Sequence, residues 1–390
     1  MIRGLARAIG GIWGVQVGLA VACAGLLAAC GSQRAAVTSP APPAVTVPLG
    51  TSLVTAQGTW AIAVMGGAAG SDNAFWQLFV RPTGASTWSL VTPEGVADNG
   101  GLVAAGTPAS LLIGFRPSQD LAFSPLAAST DTGRNWTPGL LDAALANAPD
   151  AIAATASGPE LALLQDGSIE QASTASAAAA GQWSSLTSRS ALAASTPGRS
   201  CGLVAVQAVS FGPNKTPMTG GSCVRRGVAG VFTETGGRWR SAGLVLPAEF
   251  GGDQVQVLGL AGTTSGNAAL VLAGNRLLAA WSASSRAGTH WTVSAPVAAG
   301  PVRASGFGSG GSAWVLLSGG RAETIGGPGG SWQALPAVPA GTAALAPGPE
   351  PGSYDALAVA GSKLTVWRLT RGPWAQVQLI NVPVQYGSSS

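Results

Sequence analysis

The sequence predicts an all-β chain, a seven-bladed β-propeller with four-stranded antiparallel blades. Three observations predict it. A tryptophan after a small-residue turn recurs at Trp88, Trp136, Trp183, Trp239, Trp291, Trp332 and Trp374, at intervals of 41 to 56 residues, which is a propeller period. Within the repeats, short apolar segments end in Gly or a polar turn and lead into another apolar segment, at 60–66, 110–115, 160–167, 268–274, 313–320 and 354–361. No run has the 3.6 spacing of an amphipathic helix. With first strands read at 101–105, 151–156 and 255–261 and the Trp strand last, each repeat holds four strands. One such unit cannot bury both its faces, so the units must pack round an axis.

The amino-terminal segment is of another kind. Arg3 and Arg7 precede an apolar run from Ala8 to Ala29 broken only by Gln16, the layout of an export signal. The run ends in Leu27-Ala28-Ala29-Cys30-Gly31, which resembles the lipobox of bacterial lipoproteins. That resemblance implies a diacylglycerol-modified Cys30 as the mature amino terminus. The alternative is an uncleaved transmembrane anchor, since the run is long enough to span a bilayer. Both place the rest of the chain outside the cytoplasm. The polar, Pro-rich stretch 31–48 reads as an extended tether. The domain plan is a lipoprotein signal peptide at 1–29, a tether at 30–47, the propeller at 48–384 and a tail at 385–390.

Composition narrows the function classes. Apolar residues make up 46% and charged residues 9% of the 390, and the lysines are Lys215 and Lys363. Without Arg3 and Arg7 the formal charge falls from +4 to +2, which is no nucleic-acid footprint. Cys23 goes with the leader and Cys30 is the lipid site, so Cys201 and Cys223 remain as a pair, and in an oxidising compartment a disulfide is expected. Cys201 is read as opening the first strand of the fourth repeat and Cys223 as closing its second. Antiparallel pairing brings those two ends together.

The turn before Trp136 is the most complete copy of the repeat's signature: Ser129-Thr130-Asp131-Thr132-Gly133-Arg134-Asn135-Trp136. Ser129 and Asp131 can accept hydrogen bonds from the turn's own N–H groups, Gly133 can take a positive φ, and Trp136 restarts a strand. Eroded copies precede Trp239, with Glu234 in place of Asp, and Trp291, with Arg286 there. The chain thus resembles the Asp-box (BNR) repeat propellers, a group that includes sialidases, sortilin-type receptors, some endoglucanases and a photosystem assembly factor. The resemblance covers roughly 45–385. It implies that Ser129, Asp131, Gly133 and Trp136 are structural, on a turn away from the ligand face.

Propeller topology places second-to-third-strand turns and inter-repeat links on one face. Arg116, Arg225, Arg226, Arg276 and Arg321 fall on such turns and are the ligand-face candidates. Arginine offers bidentate contacts to the carboxylates of an anionic or hydroxylated ligand such as a glycan. Polar residues on turns are also expected without any ligand. Glu94, Asp98, Asp142, Asp150, Glu249 and Asp253 are read onto the links. Sialidase chemistry, as the resemblance implies it, needs an arginine triad, a Tyr–Glu pair and an Asp acid/base. The tyrosines here are Tyr354 and Tyr386, neither on the ligand face, so no catalytic residue is assigned. His290, the single histidine, is read inside the eroded Asp-box turn before Trp291, which argues against Ser-His-Asp catalysis, and one histidine cannot make a His-rich metal site. No Walker or dinucleotide motif is present. No metal or cofactor is expected.

The expectation is an exported lipoprotein, attached to the membrane through its lipid. Its propeller is a non-catalytic binding or assembly module for a glycan or an envelope protein, with no nucleic-acid partner. The rival is a carbohydrate-active hydrolase using two of the link carboxylates.

Overall fold

The computed structural model describes residues 50–55, 57–67, 75–92, 102–106, 111–115, 126–138, 149–155, 158–174, 177–178, 181–263, 266–285, 288–308 and 310–382. These lie in one compact unit, Val45–Ser390. Among them no helix is long and apolar enough to cross a membrane. Cys30, Arg116, Glu94, Asp98 and Asp142 lie outside the described residues.

The chain forms seven successive four-stranded antiparallel meanders. Their first strands are Gly50–Val54, Leu102–Gly106, Pro149–Ala154, Leu203–Phe211, Val255–Gly262, Val302–Phe307 and Thr342–Pro347. The architecture is all-β and propeller-like. Second strands are flanked on both sides in their own sheets, and Glu160–Leu164 and Ala313–Leu317, covered on both faces, are buried at every position. Such strands read as apolar runs without alternation, and the sequence locates them well: 60–66 is observed as Gly58–Met65 and 354–361 as Tyr354–Ala360.

The buried apolar side chains fall into seven clusters, each between one sheet and its neighbour. Six lie between consecutive repeats. The seventh joins the last repeat to the first, packing Ala344, Leu357, Leu364 and Val366 against Ala61, Met65, Phe79 and Trp88. Among the described residues no strand is exchanged across this seam; the four described strands of the first sheet precede Val91 and the four of the last follow Gly341. Polar groups hold it instead. Asp355, fully buried, pairs with Arg81 of the first repeat (3.3 Å) and Arg368 of its own (2.7 Å). The Trp88 indole N–H donates to the same carboxylate at 2.9 Å. The side-chain amide of Gln378 brackets Trp88, its oxygen accepting from the Trp88 N–H and its nitrogen donating to the Trp88 carbonyl, both at 2.8 Å. Arg81 also donates to the Pro347 carbonyl (2.7 Å) and the Thr59 hydroxyl (3.0 Å). Burial pushes the Arg81 guanidinium below its ordinary pKa, Asp355 opposes that shift, and Arg368 adds to it.

The repeat tryptophans perform an equivalent service elsewhere. The indole of Trp136 donates to the Val91 carbonyl of the first repeat, that of Trp291 to Ala242 of the fourth, and that of Trp374 to Pro336 of the sixth; Trp332 donates to the Ser294 hydroxyl of the fifth. Each acceptor lies three or four residues beyond the preceding repeat's own tryptophan. Trp183 departs from the rule and donates to Ala178 within its own repeat.

Three features differ from the sequence reading. Two short helices, Arg189–Ala194 and Thr196–Cys201, fill the link between the third and fourth repeats, capped by the Ser188 and Ser195 hydroxyls. At six residues each they are too short to display a 3.6 period. Cys201 therefore ends a helix rather than opening a strand. It is nonetheless bonded to Cys223, with a Cα–Cα distance of 5.4 Å, because Leu203 pairs with Cys223. Third, the first strands of the first and sixth sheets pair in parallel, joining the two into one eight-stranded sheet. Ser52 fixes this join by donating to the Leu345 carbonyl (2.6 Å) and accepting from the Trp314 indole (2.7 Å).

The Trp staples differ in exposure, and that difference sets their expected worth. Trp136→Phe leaves the part-buried Val91 carbonyl without its donor and is expected to cost about 1–2 kcal/mol. Trp374→Phe, whose bond is exposed, should cost less than about 0.5 kcal/mol. Urea unfolding midpoints of the two variants check this; an equal loss in both contradicts the staple role.

Candidate functional site

The first strands of six repeats surround a cavity of about 590 Å³. Among the described lining residues none comes from the seventh, and the parallel pair of Gly50–Val54 with Val302–Phe307 takes its place in the wall. The lining is mainly main chain and apolar side chains, among them Leu53, Ile152, Val209, Leu258 and Phe307, with Asp150 the one carboxylate among the described lining residues.

The wall is irregular in a repeated way. The first strands of the third to seventh sheets each break register against their second strands, at Asp150, at Val204 and Gln207, at Leu258, at Arg303 and at Ala343. A β-bulge removes one residue from the ladder and re-aims its side chain. Asp150, Gln207 and Leu258 are such residues and line the cavity. Gln207 spans two repeats, its amide oxygen accepting from the Val257 N–H at 3.2 Å. Asp150 thus belongs to a first strand, not to a link as the sequence suggests.

The described candidate arginines do not converge on the cavity. Arg226 donates to the Gly252 carbonyl at 2.7 Å. Arg276 pairs with Asp253 at 2.7 Å, donates to the Glu249 carbonyl at 3.0 Å and lies 3.9 Å over the Phe250 ring. Arg321 pairs with Glu323 at 3.4 Å and donates to the Ala298 carbonyl. These three strap their turns to adjacent inter-repeat links. Arg225 is exposed beside Arg226. Of the link carboxylates, Glu249 is exposed on a 3-10 turn and Asp253 is held by Arg276.

At the other end of the sheets the Ser129–Trp136 turn is a closed hydrogen-bonded unit. The Ser129 hydroxyl donates to Asp131 at 2.9 Å and accepts from the Gly133 N–H at 2.8 Å, and Asp131 accepts from the Asn135 N–H at 2.9 Å. Those bonds, that from the Asn135 N–H foremost, hold the Asp131 carboxyl down at about 2. Gly133 has φ 81°, and a Cβ there would sit 2.7 Å from Val91 Cβ. The eroded copies differ. Gly236 and Gly237, both at positive φ, make a two-residue hairpin turn in which Glu234 accepts from the Gly237 N–H. His290 sits within the fourth strand Gly288–Val293, opposite Ala283, not in a turn.

Among the described residues no group of three His, Cys, Asp or Glu could hold a metal ion. No family model matches the chain, and no curated protein matches it by sequence. Solved structures match it in fold. One is a protein from Lactobacillus plantarum, at 12% identity and TM-score 0.53, over 83% of this chain and 96% of that one. Another is the periplasmic gluconolactonase of Pseudomonas aeruginosa, at 12% and 0.50, over 83% and 96%. A third is YCF48, solved bound to a D1 peptide, at 15% and 0.46, over 79% and 90%. At these identities the first two show a shared propeller-like fold and nothing of activity.

Glu160 has no counterpart in the sequence reading, which used it only to open a strand. It is 1% exposed, shares a strand face with Ala162 and Leu164, and burial pushes its carboxyl up to about 7. From the ordinary value of 4.5 to about 7, the folded chain keeps a proton that the unfolded chain has lost. Stability therefore falls as pH rises through that window, and the whole cost is present above it. Glu160→Gln is expected to raise stability by roughly 3 kcal/mol near pH 8 and to change it little near pH 4. Unfolding curves of both proteins at the two pH values check the sign.

Proposed function

We propose that the chain is an exported lipoprotein whose Asp-box-type repeats close into a seven-bladed propeller, acting as a non-catalytic binding or assembly module at the outer face of the membrane. The single observation that carries the non-catalytic reading is the cavity wall: bulged first strands, apolar side chains and one carboxylate, Asp150. Glycoside hydrolysis by the usual route needs two carboxyl groups across the scissile bond. A glycan would also ask for many hydrogen-bonding side chains, whereas this wall suits an apolar side chain or a short segment of a protein partner. The closed ring is supported by the apolar cluster between the last and first repeats and by the Asp355 ion pairs. Lipid anchoring is supported by the position of Cys30 at the end of the apolar leader.

The test is capture from a cell-envelope extract and a glycan array by immobilised residues 45–390, alongside assays on glycoside and lactone substrates. Protein capture without turnover is expected, weakened at least about tenfold by Leu258→Arg, which places a charge in an apolar wall, and unchanged by Asp150→Asn. Turnover by the wild type that Asp150→Asn abolishes would replace the binding reading with an enzymatic one. For the anchor, Cys30→Ser should abolish lipid modification and release the chain from membranes; retention with the leader attached would favour a transmembrane anchor.

A further inference from the structure

Five large apolar side chains are exposed among the described residues, and three of them, Val204 (48%), Val224 (69%) and Val245 (56%), belong to one end of the fourth repeat. Val204 is the bulged second residue of the first strand, Val224 follows the second strand, and Val245 bridges to Val228 beyond the fourth. Four exposed arginines surround them. Arg225 and Arg226 form the turn after Val224, and Arg189 and Arg199 lie on the two link helices. The Cys201–Cys223 disulfide clamps those helices to this end, as do the bonds from Arg189 to the Val204 carbonyl and from the Arg225 N–H to the Cys201 carbonyl.

No carboxylate of the described residues pairs with any of the four. Three of them donate to main-chain carbonyls, of Val204, Ala194 and Gly252, which orients the guanidinium and leaves most of its donors open. The exposed acids nearby are Asp166, beside Gly167 on which Arg189 packs, and Glu249.

The first described strand, Gly50–Val54, runs away from this same end. The Arg226 turn is bonded to the link at Gly252 and Asp253, that link is bonded to Arg276, and the turn beside Arg276 is bonded through Asn275 to Ala299. Ala299 leads into Val302–Phe307, with which Gly50–Val54 pairs in parallel. Gly50 pairs with Ser305, midway along that strand, and Gly50–Val54 runs away from the arginine end of the sheets.

We propose that this end of the fourth repeat is a docking surface for a bilayer bearing anionic headgroups. The guanidiniums meet lipid phosphates, and Val204, Val224 and Val245 enter the headgroup region. Mixed cationic and aliphatic surfaces of this kind gain from both charge attraction and apolar burial. The proposal takes its setting from the lipid-anchored reading, but its test uses no lipid anchor, so either can fail alone.

Residues 45–390 are sedimented with vesicles of phosphatidylcholine alone and with vesicles also containing phosphatidylglycerol. Binding to the anionic vesicles only, falling as salt rises, is expected. Arg225→Gln together with Arg226→Gln should weaken it about 25-fold, at about fivefold for each charge, and Val224→Asp should weaken it at unchanged melting temperature. Equal binding to both vesicle types, or binding unaffected by these substitutions, overturns the proposal. So does capture by a soluble polyglutamate with no sedimentation on either vesicle, which would assign the patch to an acidic polypeptide.

Discussion

Asp355 ties the last repeat to the first. It has no solvent exposure, and it compensates two guanidiniums, one from the first repeat and one from the last, while accepting the indole N–H of Trp88. With Arg81 5% and Arg368 12% exposed, removing the carboxylate would strand two buried or nearly buried cations. Such losses cost about 3–5 kcal/mol, far more than a surface ion pair is worth. Propellers that share a strand between first and last blades do not face this problem. Among the described residues no strand crosses the seam; one main-chain bond does, from the Gly66 N–H to the Gly361 carbonyl at 3.1 Å, and the charge cluster fixes the geometry where apolar packing alone would allow the sheets to slide.

Between the last and first repeats the tryptophan contact takes a different form. In four repeats the tryptophan bonds to main chain or hydroxyl just beyond the previous repeat's tryptophan, as Trp136 does at Val91 and Trp291 at Ala242. For Trp88 the corresponding neighbour is the seventh repeat, and its indole takes the side chain of Asp355 instead, while Gln378 takes the Trp88 main chain. An indole N–H thus bridges repeats at the seam as it does at four interior contacts, but at the seam its acceptor is a buried carboxylate on a strand.

Much of this was legible in residues 50–382. Apolar runs bounded by Gly gave the second strands within two or three residues, because a strand covered on both faces tolerates few polar side chains, and the disulfide followed from elimination. The seam was not legible. Asp355 sits in a Ser-Tyr-Asp triplet with nothing to mark it, and Arg81 is 274 residues away in the chain. The bulges that aim Asp150 and Gln207 into the cavity change register without changing composition, so the sequence placed Asp150 on a link. The arginines on turns were visible, but their partners at Gly252, Asp253 and Ala298 were not. Glu160 was missed because a single acid opening an apolar strand looks like the end of a turn.

These pieces assign different work to the two ends of the sheets. One end carries the closed Ser129–Trp136 turn and the Asp355 cluster, and the other carries the straps and the link helices. The claim at the centre is that the Asp355 seam holds first and last repeats together as one unit. Amide hydrogen exchange of Asp355→Asn measures it most directly. Protection is expected to fall together in Gly58–Met65, Phe75–Pro82, Tyr354–Ala360 and Lys363–Leu369, and to persist in Val255–Gly262 and Gly266–Ala273 of the fifth repeat. Wild-type protection on both sides of the seam would contradict the account.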